Sequence, residues 1–368
     1  MSGRPVVLIA GGGTGGHLMP ALAIASRLRE TRPDIEPVLV GTERGVEARV
    51  LPTRDYRYVL LASEPVYRQA WWRNARWPVV AWRLSRSLRH LFHAERPVAV
   101  LGTGGYASAP VVWWATRGGL PTAIQEQNAY PGLATRLLAR RVNQVYLGAP
   151  EAERLLKLSA RTRVFDTGNP IAPPDPERRS AARLRFGLDG PHPVLLVTGG
   201  SQGSRAVNQA MARWLTQRGH AASDWRILWV TGRTTHADFA CWHQPPAVQV
   251  IDFLDPMADA YAVSDLVISR AGMMTVAELC AWGLPAILIP LPTAAADHQT
   301  YNARALDAAG AACMLLQSTM ERDGLGAAIE LLLLDRARRE RMANLARARG
   351  RPDAARDIVS LFTTLFAS

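Results

Sequence analysis

Residues 6–29 read VVLIAGGGTGGHLMPALAIASRLR, and this stretch decides the fold. A short β-branched apolar run, residues 6–9, stops at glycines, and Leu18, Leu22, Ala25 and Leu28 then recur at helical spacing. The reading is strand, tight turn, helix. Glycine lets a backbone pass closely around a bulky anion, and a helix start offers unpaired N–H groups and the positive end of a dipole, so the turn suits phosphate. Gly11, Gly13 and Gly16 also satisfy G-x-G-x-x-G. A dinucleotide site, however, places an acid at the end of the second strand, and PVLVGTERG (37–45) ends on Gly41 and Thr42 with Glu43 one step late, which disfavours a nicotinamide cofactor. His17 stands at the mouth of the loop, either as a titratable group serving chemistry or as a helix-start histidine in an ordinary hydrogen bond.

The same logic recurs along the chain. PVAVLGTGGYASAPVVWWATR (97–117) is a strand running into Gly102, Gly104 and Gly105 and then a helix, and PTAIQEQN (121–128) delivers Glu126, Gln127 and Asn128 to a strand end. In open parallel sheets that edge carries ligands. From residue 166 the composition turns rich in Pro, Gly and Arg, which reads as a linker over 166–192. Beyond it PVLLVTGGSQGSRAVNQAMARWL (193–215) restarts the pattern, with strands expected over 194–197, 227–230, 248–253, 266–269, 286–289 and about 312–316. Alternation of this kind implies an α/β chain of two Rossmann-like, doubly wound parallel-sheet domains, 1–165 and 193–350, facing a cleft. A last helix, 354–366, is expected to pack back on the first domain.

At 368 residues, 48% apolar and 20% charged, the chain has the composition of a soluble globular protein. MSGRP leads straight into a strand, and no apolar run approaches the length of a membrane span, so a cytoplasmic location is expected. Cys241, Cys280 and Cys313 lie far apart with no C-x-x-C spacing, which suggests neither a disulfide framework nor a zinc site. A net charge of +12 calls for an anionic partner. Residues 64–93 concentrate that charge: Trp71, Trp72, Trp77 and Trp82 alternate with Arg68, Arg73, Arg76, Arg83, Arg86 and Arg89. Such a segment either lies in a membrane interface, rings at headgroup depth, or packs its tryptophans inward behind a solvated basic face. No recognisable RNA- or DNA-binding motif accompanies it, so nucleic acid is not an expected partner.

The stretch SRAGMMTVAELCAWGLPAILIPLPTAAADHQTYNARAL (269–306) carries the most specific signal. Thr275 and Glu278 form T-x-x-E, so Glu278 either closes a capping box or accepts hydrogen bonds from a ribose. Ser201 is a plain N-cap, a pyrophosphate ligand, or both.

Taken together, GGGTGGH, the GGY loop, EQN with PGLATR, TGNP, GGSQGS, SRAG with TVAE, GLPAILIPLP and DHQTYNA stand in the order and spacing seen in MurG-type enzymes, and the chain resembles that family over nearly its whole length. These are the UDP-N-acetylglucosamine:undecaprenyl-pyrophosphoryl-MurNAc-pentapeptide N-acetylglucosaminyltransferases of bacterial cell-wall synthesis. The resemblance implies a GT-B fold and an inverting transfer of GlcNAc from UDP-GlcNAc to the MurNAc 4-hydroxyl of lipid I, giving lipid II. It places Thr14, Gly15, Gly16 and Asn128 near the donor sugar and diphosphate, and Ser201 on the diphosphate. Leu254 falls near the uracil, Met273, Met274, Thr275, Val276, Ala277 and Glu278 wrap the nucleotide with Glu278 on the ribose, and Gln299 reaches the sugar. Arg270, in the matching SRAG segment, positions that loop. His17 matches the family's general base, with Glu126 as assistant or alternative; Gly13, Gly104, Gly105 and Tyr106 belong to the acceptor and phosphate loops. No D-x-D metal motif is present, and no cofactor or metal is implied.

A lipid-linked acceptor gives the tryptophan-arginine segment its reason, with Trp71, Trp72, Trp77, Trp82, Arg73, Arg76 and Arg83 on anionic lipid at the cytoplasmic face of the inner membrane. Cell-wall and division proteins are further partners the resemblance suggests. Two positions depart from the family pattern: Gln125 replaces the histidine usual before EQN, and Ala172 stands where an arginine follows GNP. The phosphate or sugar ligand that arginine would provide is then either missing or supplied by Arg178 or Arg179. The competing readings are another GT-B UDP-sugar transferase with a lipid acceptor and an NAD-dependent oxidoreductase.

Overall fold

A computed structural model of the chain describes residues 4–64, 76–188, 190–200, 202–218 and 225–366. It divides into two compact units, residues 1–172 with 352–368, and residues 173–351.

Unit 1 is built on a seven-stranded parallel sheet: β1 (Val6–Gly11), β2 (Glu36–Thr42), β3 (Arg57–Leu61), β4 (Ala99–Gly104), β5 (Thr122–Glu126), β6 (Gln144–Leu147) and β7 (Arg163–Asp166), in the order β3-β2-β1-β4-β5-β6-β7. The sequence explains why both faces are covered. Val7, Ile9, Leu39, Ala99 and Leu101 point to one face, Leu8, Ala10, Val38, Val40 and Val100 to the other, and all are buried. Strands apolar on both sides are stable only between two layers of helices. The first face packs on Leu18, Ala21, Ile24, Ala25 and Leu28 of helix Gly15–Thr31, and on Ile358, Val359 and Phe362 of helix Ala354–Thr363. The last helix of the chain is thus part of unit 1. The second face packs on helices Trp77–Glu95, Gly105–Arg117 and Leu133–Leu138.

Unit 2 repeats the plan with six parallel strands, β8 (Val194–Thr198), β9 (Arg226–Val230), β10 (Val248–Ile251), β11 (Leu266–Arg270), β12 (Ala286–Ile289) and β13 (Cys313–Met314), ordered β10-β9-β8-β11-β12-β13. In both sheets the order reverses beside the first strand, between β1 and β4 and between β8 and β11. At such a switch point the loops leaving the two strands diverge to opposite faces and open a crevice at the carboxyl edge.

Within residues 166–192, read from composition as a linker, Asn169 is buried in unit 1, and residues 178–185 form helix Arg178–Arg185 on unit 2. Asp259 ties this helix to helix Ala258–Val263 through Arg178 (2.9 Å) and Arg185. Burial pushes the Asp259 carboxyl up, and the two guanidiniums more than reverse this, holding it below the usual carboxylate range.

Candidate active site

In unit 1 the switch point is occupied by His17. The β1 loop ends at Thr14, the N-cap of helix Gly15–Thr31, so His17 stands in the first turn with its ring against the end of β4. Its Nδ1 lies 3.0 Å from Gln127 Oε1 and 3.2 Å from the Thr103 carbonyl, while Nε2 has no partner among the described residues. Gly104, at φ +100°, closes over the ring: a Cβ there would sit 2.6 Å from Nδ1. Glycine is therefore required twice over, for the backbone angle and for the approach. By contrast, a Cβ at Gly15 would meet nothing within 4 Å, and Thr14, Gly15 and Gly16 are exposed at the helix start.

The loop before them is fixed from behind by Glu47, which is fully buried. Its carboxylate accepts from the Gly13 N–H (2.8 Å), the Thr42 N–H (2.9 Å) and the Thr42 hydroxyl (2.6 Å). Gly13, which the sequence assigns to a phosphate loop, thus has its N–H taken by a carboxylate of the chain itself. Tyr106 packs its ring on Gly13 and brings its hydroxyl to 3.2 Å from Thr42 Oγ1; Gly105 passes against the Gly12 carbonyl. The brace carries no obvious signal in the sequence, since Glu47 lies 34 residues from Gly13 and within a short helix.

Glu126 is differently placed from the expectation of a base. One oxygen accepts from the Asn128 N–H (3.0 Å) and side-chain amide (3.3 Å), the other from the Gly132 N–H (3.0 Å) and the Thr135 hydroxyl (2.5 Å). Four donors of its own loop occupy the buried carboxylate, so its geometry is that of a clasp for residues 126–135 that also sets Asn128. Gln125, in place of the family histidine, is buried and donates from Nε2 to Asn169 Oδ1 (2.9 Å).

In unit 2 the corresponding switch point holds Arg270, buried at the end of β11. Its guanidinium donates to the carbonyls of Ile289 (3.3 Å) and Pro290 (3.1 Å), to Ser204 Oγ (2.8 Å) and to Gln317 Oε1 (2.8 Å), joining the ends of β11 and β12 to the start of helix Arg205–Arg218. The resemblance has Arg270 positioning its own loop; the loops it spans are those of both strands and of the glycine turn. Ser201 lies outside the described residues.

Helix Met273–Trp282 begins at Gly272, which makes no side-chain cap bond, so Thr275 is the third residue of the helix and not its N-cap. The capping-box reading of Glu278 is therefore excluded. Glu278 instead accepts from the Tyr261 hydroxyl at Oε2 (2.9 Å), and Oε1 has no partner among the described residues. Burial pushes its carboxyl above the usual range, with the Tyr261 hydrogen bond pulling the other way. Met273 and Val276 face the core, whereas Met274, Thr275 and Ala277 are half-exposed on the same turns. Leu254 is buried after β10. Gln299 accepts the Leu291 N–H at Oε1 (3.0 Å), which keeps its side-chain oxygen on the loop after β12.

Arg178 and Arg179, the candidates for the role of the family arginine at Ala172, both have partners within unit 2. Arg178 is paired with Asp259 and Asp175, and Arg179 donates to the Ala262 carbonyl (2.8 Å).

Helix Trp77–Glu95 buries Val80, Leu84, Leu88 and Leu91, aliphatic residues at spacings of four, four and three, and turns Trp82 outward, 63% exposed. Tryptophan packed inward is thus not how Trp82 is used; Trp77 is half-buried. Val79, Arg83, Arg86 and Arg89 are exposed with Trp82, and Arg76 is exposed before the helix. Trp71, Trp72 and Arg73 lie outside the described residues. Among the described residues no helix is long and apolar enough to cross a membrane.

Two family models match the chain, the glycosyltransferase family 28 N-terminal domain over residues 7–147 and its C-terminal domain over residues 194–358. A protein of Salinibacter ruber named UDP-N-acetylglucosamine--N-acetylmuramyl-(pentapeptide) pyrophosphoryl-undecaprenol N-acetylglucosamine transferase is 41% identical over 97% of both chains. A protein of Chlorobaculum parvum with the same name is 39% identical over 98% of this chain and 100% of its own. Among solved structures, the MurG of Acinetobacter baumannii is similar at TM-score 0.79 and 28% identity, over 98% of this chain and 99% of that one.

Proposed function

The chain belongs to glycosyltransferase family 28, with lipid I N-acetylglucosaminyltransferases as relatives over nearly its full length, and from that premise we propose how its two units divide the reaction. The enzyme is a UDP-GlcNAc-dependent glycosyltransferase that adds GlcNAc to undecaprenyl-pyrophosphoryl-MurNAc-pentapeptide, making lipid II for peptidoglycan. The observation that carries this conclusion is identity of 41% over 97% of each chain to a transferase of that name.

Unit 2 holds the nucleotide. Glu278 accepts the ribose hydroxyls at Oε1, the oxygen that Tyr261 leaves free. The backbone at Leu254 reads the uracil, residues 273–277 line the nucleotide, and Gln299 donates its amide nitrogen to the sugar. Ser201 and the N–H groups at the start of helix Arg205–Arg218 stabilise the diphosphate as charge develops on it. Arg270 keeps these loops in register and adds a fixed positive charge beneath them.

Unit 1 supplies the base. His17 accepts the proton of the MurNAc 4-hydroxyl at Nε2 as O4 attacks the anomeric carbon, the bond to the UDP oxygen breaks, and the α-linked donor becomes a β-(1→4) product with UDP as leaving group. An alcohol is a poor nucleophile, and neutral imidazole suits its activation near pH 7. Thr14, Gly15, Gly16 and Asn128 contact the donor sugar and diphosphate, and Gly104, Gly105 and Tyr106 shape the acceptor loop. Glu126 acts by holding Asn128, not by taking a proton.

The lipid tail of the acceptor brings the enzyme to the anionic leaflet as a peripheral protein of the cytoplasmic face. Trp82 with Arg83, Arg86 and Arg89 forms the described part of that contact, supported by its exposure and by the absence of any acid between Trp77 and Glu95 on this helix. Trp77, Arg76 and, outside the described residues, Trp71, Trp72 and Arg73 extend it.

Release of UDP from UDP-GlcNAc on addition of lipid I tests the reaction, with UDP-glucose and UDP-GalNAc as controls. Release confined to UDP-GlcNAc is expected; release independent of lipid I, or equal with all three sugars, refutes the assignment.

A further inference from the structure

Gln127 lies beside the proposed base yet takes no part in the reaction as described, and the atoms around it fix a property of the His17 ring. The Thr103 carbonyl is acceptor-only, and it lies 2.6 Å from Gln127 Nε2 and 3.2 Å from His17 Nδ1. The first distance orients the Gln127 amide with its nitrogen on the carbonyl. Oε1 then faces His17 Nδ1 at 3.0 Å, so that Nδ1 has two acceptors and no donor. A neutral imidazole in that position carries its proton on Nδ1 and its lone pair on Nε2.

The Gln127 amide is itself held from behind. Its nitrogen donates to Gln125 Oε1, the Gln125 amide donates to Asn169 Oδ1 (2.9 Å), and the Asn169 amide donates to the Gln127 carbonyl (3.1 Å). Gln125, Gln127 and Asn169 are each at most 3% exposed, so reversing one amide would face oxygen on oxygen in a site closed to water. Gln125, which replaces a histidine of the family pattern, is one link of this chain.

We propose that Gln127 is a positioning residue for His17: backed by Gln125 and Asn169, its side-chain oxygen holds the ring as the Nδ1–H tautomer and so keeps Nε2 the basic atom that meets the acceptor hydroxyl. This rests on the reading of His17 as general base. Without Gln127 Oε1, only the longer contact to the Thr103 carbonyl holds the proton on Nδ1, and the ring divides between tautomers, one of which has no lone pair at Nε2.

The test is nitrogen NMR of histidine-labelled full-length enzyme, with the His17 resonances identified by their loss in His17→Ala. Wild type is expected to show a protonated-type Nδ1 and a lone-pair-type Nε2. In Gln127→Met, Nε2–H character appears at His17, kcat falls about tenfold and KM for UDP-GlcNAc stays within twofold of wild type. A wild-type ring protonated on Nε2 overturns the proposal, as does Gln127→Met with unchanged tautomer and kcat; should Gln127→Met fail to fold, the wild-type spectrum still decides. Near-normal turnover by His17→Ala refutes the base instead, and leaves the tautomer readout standing.

Discussion

Behind the loop that follows β1 stands a buried carboxylate, Glu47; behind the loop that follows β8 stands a buried guanidinium, Arg270. Both loops leave the first strand of a parallel sheet at its switch point, both contain glycines and both lead into a helix. Glu47 accepts from the backbone of its loop and so occupies the Gly13 N–H that would otherwise be open to an anion. Arg270 donates to carbonyls and side-chain oxygens, and a donor of this kind occupies none of its loop's N–H groups. Backbone topology alone would make the two sites alike. On the proposed division of the reaction, the sign of the buried charge separates a loop that presents a base from one that presents a cradle for phosphates.

Several substitutions break or sharpen that contrast. The largest effect is expected from His17→Ala, a fall in lipid I turnover of about 10²–10⁴-fold, read by UDP release. Next comes Glu47→Ala, which strands the N–H groups of Gly13 and Thr42 and the Thr42 hydroxyl in a closed pocket. Thermal and urea unfolding should show a loss of roughly 3 kcal/mol. Glu278→Ala should weaken UDP binding about tenfold and lower stability by about 1 kcal/mol, since it closes no capping box but leaves the buried Tyr261 hydroxyl without its acceptor.

The same carboxylate makes a pH prediction. Burial raises its folded-state pKa, so its contribution to stability is present below the unfolded value and lost as pH rises through the folded one. UDP binding, which uses the ionised form, is gained over the same rise, and Glu278→Gln should flatten both limbs in calorimetry and thermal melts. The smallest effect is expected from Trp82→Ser, a loss of binding to anionic vesicles of about threefold with unchanged turnover on a short-chain soluble acceptor.

The elements legible in the sequence are those announced by an apolar run: β1, β2 and β4, whose runs end at glycines, β5, and the strands of unit 2. Strands β3 (RYVLL), β6 (QVYL) and β7 (RVFD) mix charged or polar residues into runs of four or five. Helix Arg178–Arg185 hides among prolines because its stability comes from Asp259, some eighty residues on. The site is legible where residue type announces chemistry, as at His17 and Glu278. Glu47 is not, since its role arises from a contact between distant parts of the chain, and the strand end draws attention to Glu43 instead. Gln127 stands in a recognised motif, but its function depends on which way an amide points, and only the surrounding acceptors fix that.

The division between a base in unit 1 and a nucleotide site in unit 2 is tested most directly by calorimetric titration of UDP into His17→Ala and Glu278→Ala beside wild type. His17→Ala should bind UDP within about twofold of wild type while Glu278→Ala binds about tenfold more weakly. Equal weakening in both variants would contradict the account.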